Sequence, residues 1–178
     1  MYETEIKILD IDRKKLERKL SSLGAKKIFD DEIHALYYDN TDSSIRRQRG
    51  TFRLRREGGI SVLTFKAHID NSAAKVREET DVTVSDFDAM RSILRSIGFS
   101  PWLEMKKHRT TYALPGLHFE FDRYTGEFGF IPEFLEIEGP DVEAVYESAA
   151  ALGFSKEDCR PWDAIQMAEY YSARDKRK

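Results

Sequence analysis

The 178-residue chain has a single cysteine, Cys159. An internal disulfide is therefore excluded, and so is a multi-cysteine zinc site. Four scattered histidines offer no metal-ligand spacing, so a metal would have to be held by carboxylates. No apolar run approaches the ~18–20 residues of a membrane span. The opening Met-Tyr-Glu-Thr-Glu has neither the basic nor the apolar stretch of a secretory signal, so the protein is expected to be cytoplasmic with no membrane partner. Ten glycines and five prolines are too few for low-complexity linkers. The length implies one domain, residues 1–178, with 174–178 as a solvated tail.

Charge is what the chain has in surplus. Lys and Arg number 29, Asp and Glu 32, so 34% of residues are charged while the net charge is only −3. An ordinary soluble domain is about 25% charged. A core is still available, because 40% of residues are hydrophobic and 12% aromatic.

Residues 2–9 alternate in the two-residue period of a strand, Glu3, Glu5 and Lys7 against Thr4, Ile6 and Ile8. A helix should follow, capped by Asp12, striped by Leu16, Leu20 and Leu23 and ended at Gly24. The same order recurs twice. Val76 to Val84 alternates ahead of a helix opened by a Ser85/Asp88 capping box, striped by Phe87, Met90, Leu94 and Ile97 and stopped at Gly98. Leu135 to Glu138 alternates ahead of a helix burying Val142, Val145, Tyr146, Ala149 and Leu152. Further strands read as LYYDN, TFRLRRE, SVLTFKAHI, KKHRTTYAL and LHFEFDRY, separated by turn-like segments. A last helix is predicted over Asp163 to Tyr171. The sum is an α+β fold on a large, mainly antiparallel sheet.

The charges are sorted by strand face. Arg53 shares a face with Arg55, Lys66 with His68, and Lys107 with Arg109. Among the acids, Glu3 shares a face with Glu5, Glu79 with Asp81, Glu120 with Asp122, and Glu136 with Glu138. One such strand is ordinary, since a polar face can simply meet water. Stacked like charges cost energy, however, and solvent faces usually mix signs. If the sheet closes with these faces inward, acids and bases become the walls of a channel and the apolar faces turn outward under the helices. Such an interior needs a ligand bridging both signs, because an unpaired buried charge costs several kcal/mol by order of magnitude. A polyphosphate with Mg²⁺ or Mn²⁺ meets that need: Arg and Lys neutralise phosphate oxygens, and carboxylates hold the hard cation.

These residues resemble the CYTH family, the triphosphate tunnel metalloenzymes that include class IV adenylyl cyclases and thiamine triphosphatases. The resemblance runs through Glu3-x-Glu5-x-Lys7, Tyr37-Tyr38-Asp39, Arg53-Leu54-Arg55, Thr64-Phe65-Lys66, Arg77-Glu78-Glu79, Lys107-His108-Arg109, Phe121-Asp122-Arg123 and Glu136-Ile137-Glu138-Gly139. It implies an eight-stranded antiparallel closed barrel, a tunnel with a charged interior and amphipathic helices outside. It further implies that Lys7, Arg53, Arg55, Lys66, Lys107, Arg109 and Arg123 bind the triphosphate. Glu3, Glu5, Asp122, Glu136 and Glu138 would surround Mg²⁺ or Mn²⁺, with Glu79 and Asp81 as a second tier. Lys66, Arg109 and Tyr37 would be catalytic, although Tyr37 could equally pack in the sheet. The sequence departs from the family pattern at His34-Ala35-Leu36, in the long connection TGEFGFIPE and in the block around Pro161 and Trp162.

The implied function is hydrolysis of a triphosphate such as ATP, tripolyphosphate or thiamine triphosphate. The same walls would serve a cyclase making cyclic AMP and pyrophosphate, or a non-catalytic polyphosphate or nucleotide-binding module. Nucleic-acid binding through IRRQRGTFRLRRE is disfavoured by the interleaved acids and the negative net charge. Either a monomer or a homodimer is compatible with the sequence.

Overall fold

The computed structural model describes the backbone of residues 2–69 and 75–175 and the side chains of 4–68 and 78–174. The chain runs β1 (Tyr2–Ile8), α1 (Arg13–Ser22), β2 (Lys26–Asp39), the single turn α2 (Ser44–Arg47), β3 (Thr51–Glu57), β4 (Ile60–Ile69), β5 (Lys75–Val84) and α3 (Phe87–Ser96). It continues through β6 (Ser100–Leu114), β7 (Leu117–Thr125), β8 (Phe134–Gly139), α4 (Val142–Ala151), β9 (Cys159–Arg160) and α5 (Ala164–Asp175). The architecture is α+β, as expected.

The strands join in one antiparallel sheet in the order β5-β4-β3-β2-β6-β7-β8-β1-β9, and β1 pairs additionally with β5, Tyr2 opposite Glu78 and Glu5 opposite Lys75. Among the described residues the strand count exceeds the expected eight by β9, in which Arg160 and Cys159 pair with Lys7 and Ile8. The segment just before Pro161 and Trp162 thus reaches back to the first strand.

Alternation decides which face each strand buries. Ile6, Ile8, Phe119, Phe121, Leu135 and Ile137 all point to one side of β1, β7 and β8, where α1 supplies Leu16 and Leu20 and α4 supplies Val145 and Ala149. Asp12 caps α1 by accepting from the Lys15 N–H at 3.0 Å, and Asp141 caps α4 by accepting from Ala144 N–H at 2.8 Å. Gly24, at φ +83°, takes the left-handed turn that releases the chain from α1. A second layer sets Phe87 and Leu94 of α3 against Leu36, Tyr38 and Leu54. The α3 cap is not the expected Ser85/Asp88 box: Asp86 accepts from the N–H groups of Asp88 and Ala89, both at 2.9 Å. Ile97, expected in the stripe, lies just past the helix and is exposed, as is Leu23 at the end of α1.

A third cluster covers one end of the sheet. Met167 and Tyr171 of α5 pack on Phe128 and Ile131 from the long β7–β8 connection, on Phe134 at the start of β8 and on Met105 and Tyr124. Two of the three departures from the family pattern are therefore partners, Trp162 packing on the cluster that holds Phe128 and Ile131. Arg174, expected in the tail, lies within α5 and pairs with Asp10 at 2.7 Å; residues 176–178 of that tail fall outside the described residues.

Two strands are longer than the alternation indicates. β2 begins at Lys26, ten residues before LYYDN, and β6 at Ser100, before KKHRTTYAL. The first part of β2 is largely exposed and highly charged, so no buried face marks it; the ladder to β6, from Lys26 opposite Ala113 to Asp39 opposite Ser100, holds it extended.

Candidate functional site

The opposite strand faces converge on a cavity of about 1610 Å³ to which β1 through β8 all contribute side chains. Strand order sorts its walls. β6, β2, β3 and β4 are neighbours and present Lys107, Arg109, Arg53, Arg55, Lys66 and His68. β7, β8 and β1 are neighbours, with β5 paired to β1, and present Glu120, Glu136, Glu138, Glu5, Glu79 and Asp81. Lys7 is the cation inside the acidic arc, and Glu57 the acid inside the basic one.

Ion pairs stitch the arcs together. Arg109 donates from Nε to Asp122 Oδ1 at 2.7 Å and from Nη2 to Oδ2 at 2.6 Å, lies 3.5 Å from Glu136 and pairs with Glu120. Lys107 meets Asp122 at 2.6 Å. Lys7 sits between Glu5, at 3.2 Å, and Glu136. At the other junction of the arcs Lys66 pairs with Glu79 at 2.7 Å, and the Thr64 hydroxyl donates to Asp81.

The electrostatics follow. Burial works against the charges of Lys7 and Arg109, but their carboxylate partners outweigh it and raise both pKa values. Burial also opposes the Asp122 charge, yet Arg109 and Lys107 hold its pKa down at about 2. Glu120 goes the other way: burial, with Glu136 and Asp122 nearby, pushes it up to about 7 against the pull of Arg109. Arg55 is pushed below the usual guanidinium range by burial and by Arg53 beside it. An anion beside Arg53 and Arg55 would relieve that repulsion.

Of the residues singled out in the sequence, Glu5, Lys7, Tyr37, Arg53, Arg55, Lys66, Glu79, Asp81, Lys107, Arg109, Glu136 and Glu138 line the cavity. Asp122 is fully buried behind Arg109 and Lys107, which occupy both its oxygens. Arg123 is not brought to the site: being one residue from Asp122, it takes the opposite face of β7 and is exposed. The Glu3 side chain falls outside the described residues. Tyr37 packs edge-on against Trp102, ring centres 6.3 Å apart, and so belongs to an aromatic end of the cavity. Glu120 was missed as a site residue, although its two-residue spacing from Asp122 was the signal. Trp102 also lines the cavity and was not singled out; His118 and Arg49 line it too.

The donor set fits a hard divalent cation. Glu120, Asp122 and Glu136 each offer a carboxylate oxygen, and the three atoms lie within 4.8 Å of one another. Because Asp122 is held by two cations, Glu120 and Glu136 are the better candidates, with Glu5 opposite Glu138 on the adjoining strands.

A nine-stranded antiparallel sheet with both signs of charge turned into one cavity defines the class, and the CYTH domain model matches residues 1–160. The chain belongs to the CYTH family. It is 28% identical over 167 residues, 89% of this chain and 93% of the other, to a Methanocaldococcus jannaschii protein named as a candidate adenylate cyclase, MJ0240. Among solved structures it is similar to PH1012 of Pyrococcus horikoshii, with TM-score 0.78 and 24% identity over 93% of this chain and 98% of that one. It also resembles HpAC1 of Hippeastrum, a candidate adenylyl cyclase described as having a dominant triphosphatase activity, with TM-score 0.64 and 18% identity over 97% and 95% of the two chains. Among the described residues no helix is long and apolar enough to cross a membrane.

Proposed function

We propose that the chain is a divalent-metal-dependent triphosphatase that binds its substrate between the two arcs, within a tunnel formed where β1 pairs with β5. The observation that carries this reading is the sorting of one cavity into a basic wall supplied by β6, β3 and β4 and an acidic wall supplied by β7, β8, β1 and β5. A triphosphate with its metal is the ligand that answers both walls.

In this reading Arg53, Arg55, Lys66 and Lys107 bind and orient phosphate oxygens. Arg109, fixed by Asp122, meets the negative charge that develops during in-line phosphoryl transfer, where positioning and charge neutralisation supply most of the rate. Lys66, held by Glu79 at one junction of the arcs, would in this reading meet the transferred phosphoryl group. Glu120, Glu136, Glu5 and Glu138 would hold Mg²⁺ or Mn²⁺. When bound, that ion supplies Lewis-acid neutralisation of phosphate charge and activation of water. Tyr37 contributes packing at the aromatic end.

The name of the Methanocaldococcus relative supports a second reading, cyclisation of ATP at the same walls. Incubating the purified protein with ATP, tripolyphosphate or thiamine triphosphate and Mg²⁺ or Mn²⁺, and separating the products, tests both. Orthophosphate is expected. Cyclic AMP with pyrophosphate would replace the hydrolase by the cyclase, and no product from any of them would overturn the enzyme reading.

A further inference from the structure

One irregularity in the sheet opens onto the cavity. In the β2–β6 ladder Tyr37 is opposite Leu103 but Tyr38 is opposite Pro101, so Trp102 is the extra residue of a β-bulge. Regular alternation along β6, with Met105, Lys107 and Arg109 inward, would bring Leu103 inward and send Trp102 outside. The bulge brings both into the cavity wall. Bulges of this kind re-aim a side chain.

The indole is held as well as aimed. Buried Asp39 accepts from the N–H groups of Ile45 and Arg46 at 3.2 and 3.1 Å and from Arg46 Nε at 2.9 Å. The Arg46 guanidinium so fixed lies 4.4 Å from the centre of the Trp102 ring. Tyr37 braces the indole edge, yet Trp102 remains 39% exposed. The plate lies next to the basic wall: Tyr37 pairs with Arg53 across β2 and β3, and Ile165 at the start of α5 lines the same cavity.

We propose that Trp102 is a specificity-determining residue, a stacking surface for a flat, uncharged ring attached to the triphosphate. The inference rests on the reading that a triphosphate fills the cavity. Charge selects the kind of ring. Arg46 and Arg49 line the cavity with Trp102 and would oppose a cationic ring such as the thiazolium of thiamine. A neutral nucleobase meets no such opposition, and base stacking on an aromatic side chain tolerates sequence and ring type.

The test measures binding of ATP, thiamine triphosphate and inorganic tripolyphosphate, each with Mg²⁺, to the full chain by calorimetry. The wild type is expected to favour ATP over both others. Trp102→Ala should lower the ATP-to-tripolyphosphate preference by about tenfold, the scale of one base stack, and Trp102→Phe should keep most of it. A second measurement needs no change at the plate: in Trp162→Phe, Trp102 is the sole tryptophan, and ATP should quench its fluorescence more than saturating tripolyphosphate does. An equal loss for ATP and tripolyphosphate in Trp102→Ala, equal quenching by both, or tighter binding of thiamine triphosphate than of ATP would overturn the inference while the triphosphate reading stands. If tripolyphosphate and ATP both fail to bind the wild type, the triphosphate reading falls and this inference with it.

Discussion

Arg109 and Asp122 face each other on β6 and β7 and close a two-point ion pair, Nε to Oδ1 at 2.7 Å and Nη2 to Oδ2 at 2.6 Å. Asp122 is fully buried, so its charge is tolerable only with that partner. Asp122→Asn should cost about 3–5 kcal/mol, because Arg109 would then be buried with one partner fewer; chemical denaturation at pH 7 reads the loss. Since the folded pKa of Asp122 is depressed to about 2, its stabilising contribution is present above the ordinary carboxylate range and lost as pH falls toward 2. The variant should therefore converge on the wild type in acid.

Glu120 has the opposite sign. With its folded pKa raised to about 7, the folded chain keeps a proton between about pH 4.5 and 7 that the unfolded chain releases. That contribution is full below pH 4.5 and lost as pH rises through 7. Measured in a chelator, the stability of Glu120→Gln should fall less steeply than that of the wild type between pH 5 and 8, by roughly 3 kcal/mol. Identical slopes would count against the burial of this carboxyl.

Lys66 is expected to act on turnover more than on folding. Lys66→Gln should lower kcat with the best triphosphate by about 10²–10³-fold, the scale of losing one preorganised charge at the reacting group. Steady-state kinetics with circular dichroism separates this from unfolding. A change confined to KM would assign Lys66 to binding alone.

Arg123 and Arg53 make a matched pair of tests. Arg123 is exposed on the outer side of β7, so Arg123→Ala should leave kcat/KM for tripolyphosphate within about twofold, as for other surface changes. Arg53→Ala, on the basic wall, should raise KM at least tenfold. Equal effects would mean that the β7 register is wrong.

Met167 is fully buried where α5 crosses the end of the sheet. Met167→Ala should cost about 2–5 kcal/mol by opening a cavity there. Thermal denaturation reads the change.

Much of this was legible because a strand writes its two faces into the sequence with period two. Glu5 with Lys7, Arg53 with Arg55 and Glu136 with Glu138 fall on one wall for that reason. The grouping of acids and bases into arcs was not legible, because it depends on which strands are neighbours: β2 lies beside β6, far along the chain. Arg123 lies away from the cavity because alternation splits a motif that the resemblance takes whole. Trp102 was invisible for the complementary reason, since a bulge breaks the alternation that would have excluded it. The α3 cap moved by one residue because Asp86, like Ser85, can accept from the first-turn amides, and only the backbone geometry decides between them.

The placement of β1 also bears on how the molecule comes to be assembled. Ile6 pairs with Ile137 and Thr4 with Val76, so β1 waits for β5 to join one side of it and for β8, far along the chain, to join the other. Until then its apolar residues and open edge are available to other chains. Folding dominated by such distant pairings is slow, and the charged walls cannot form a binding site before that late step.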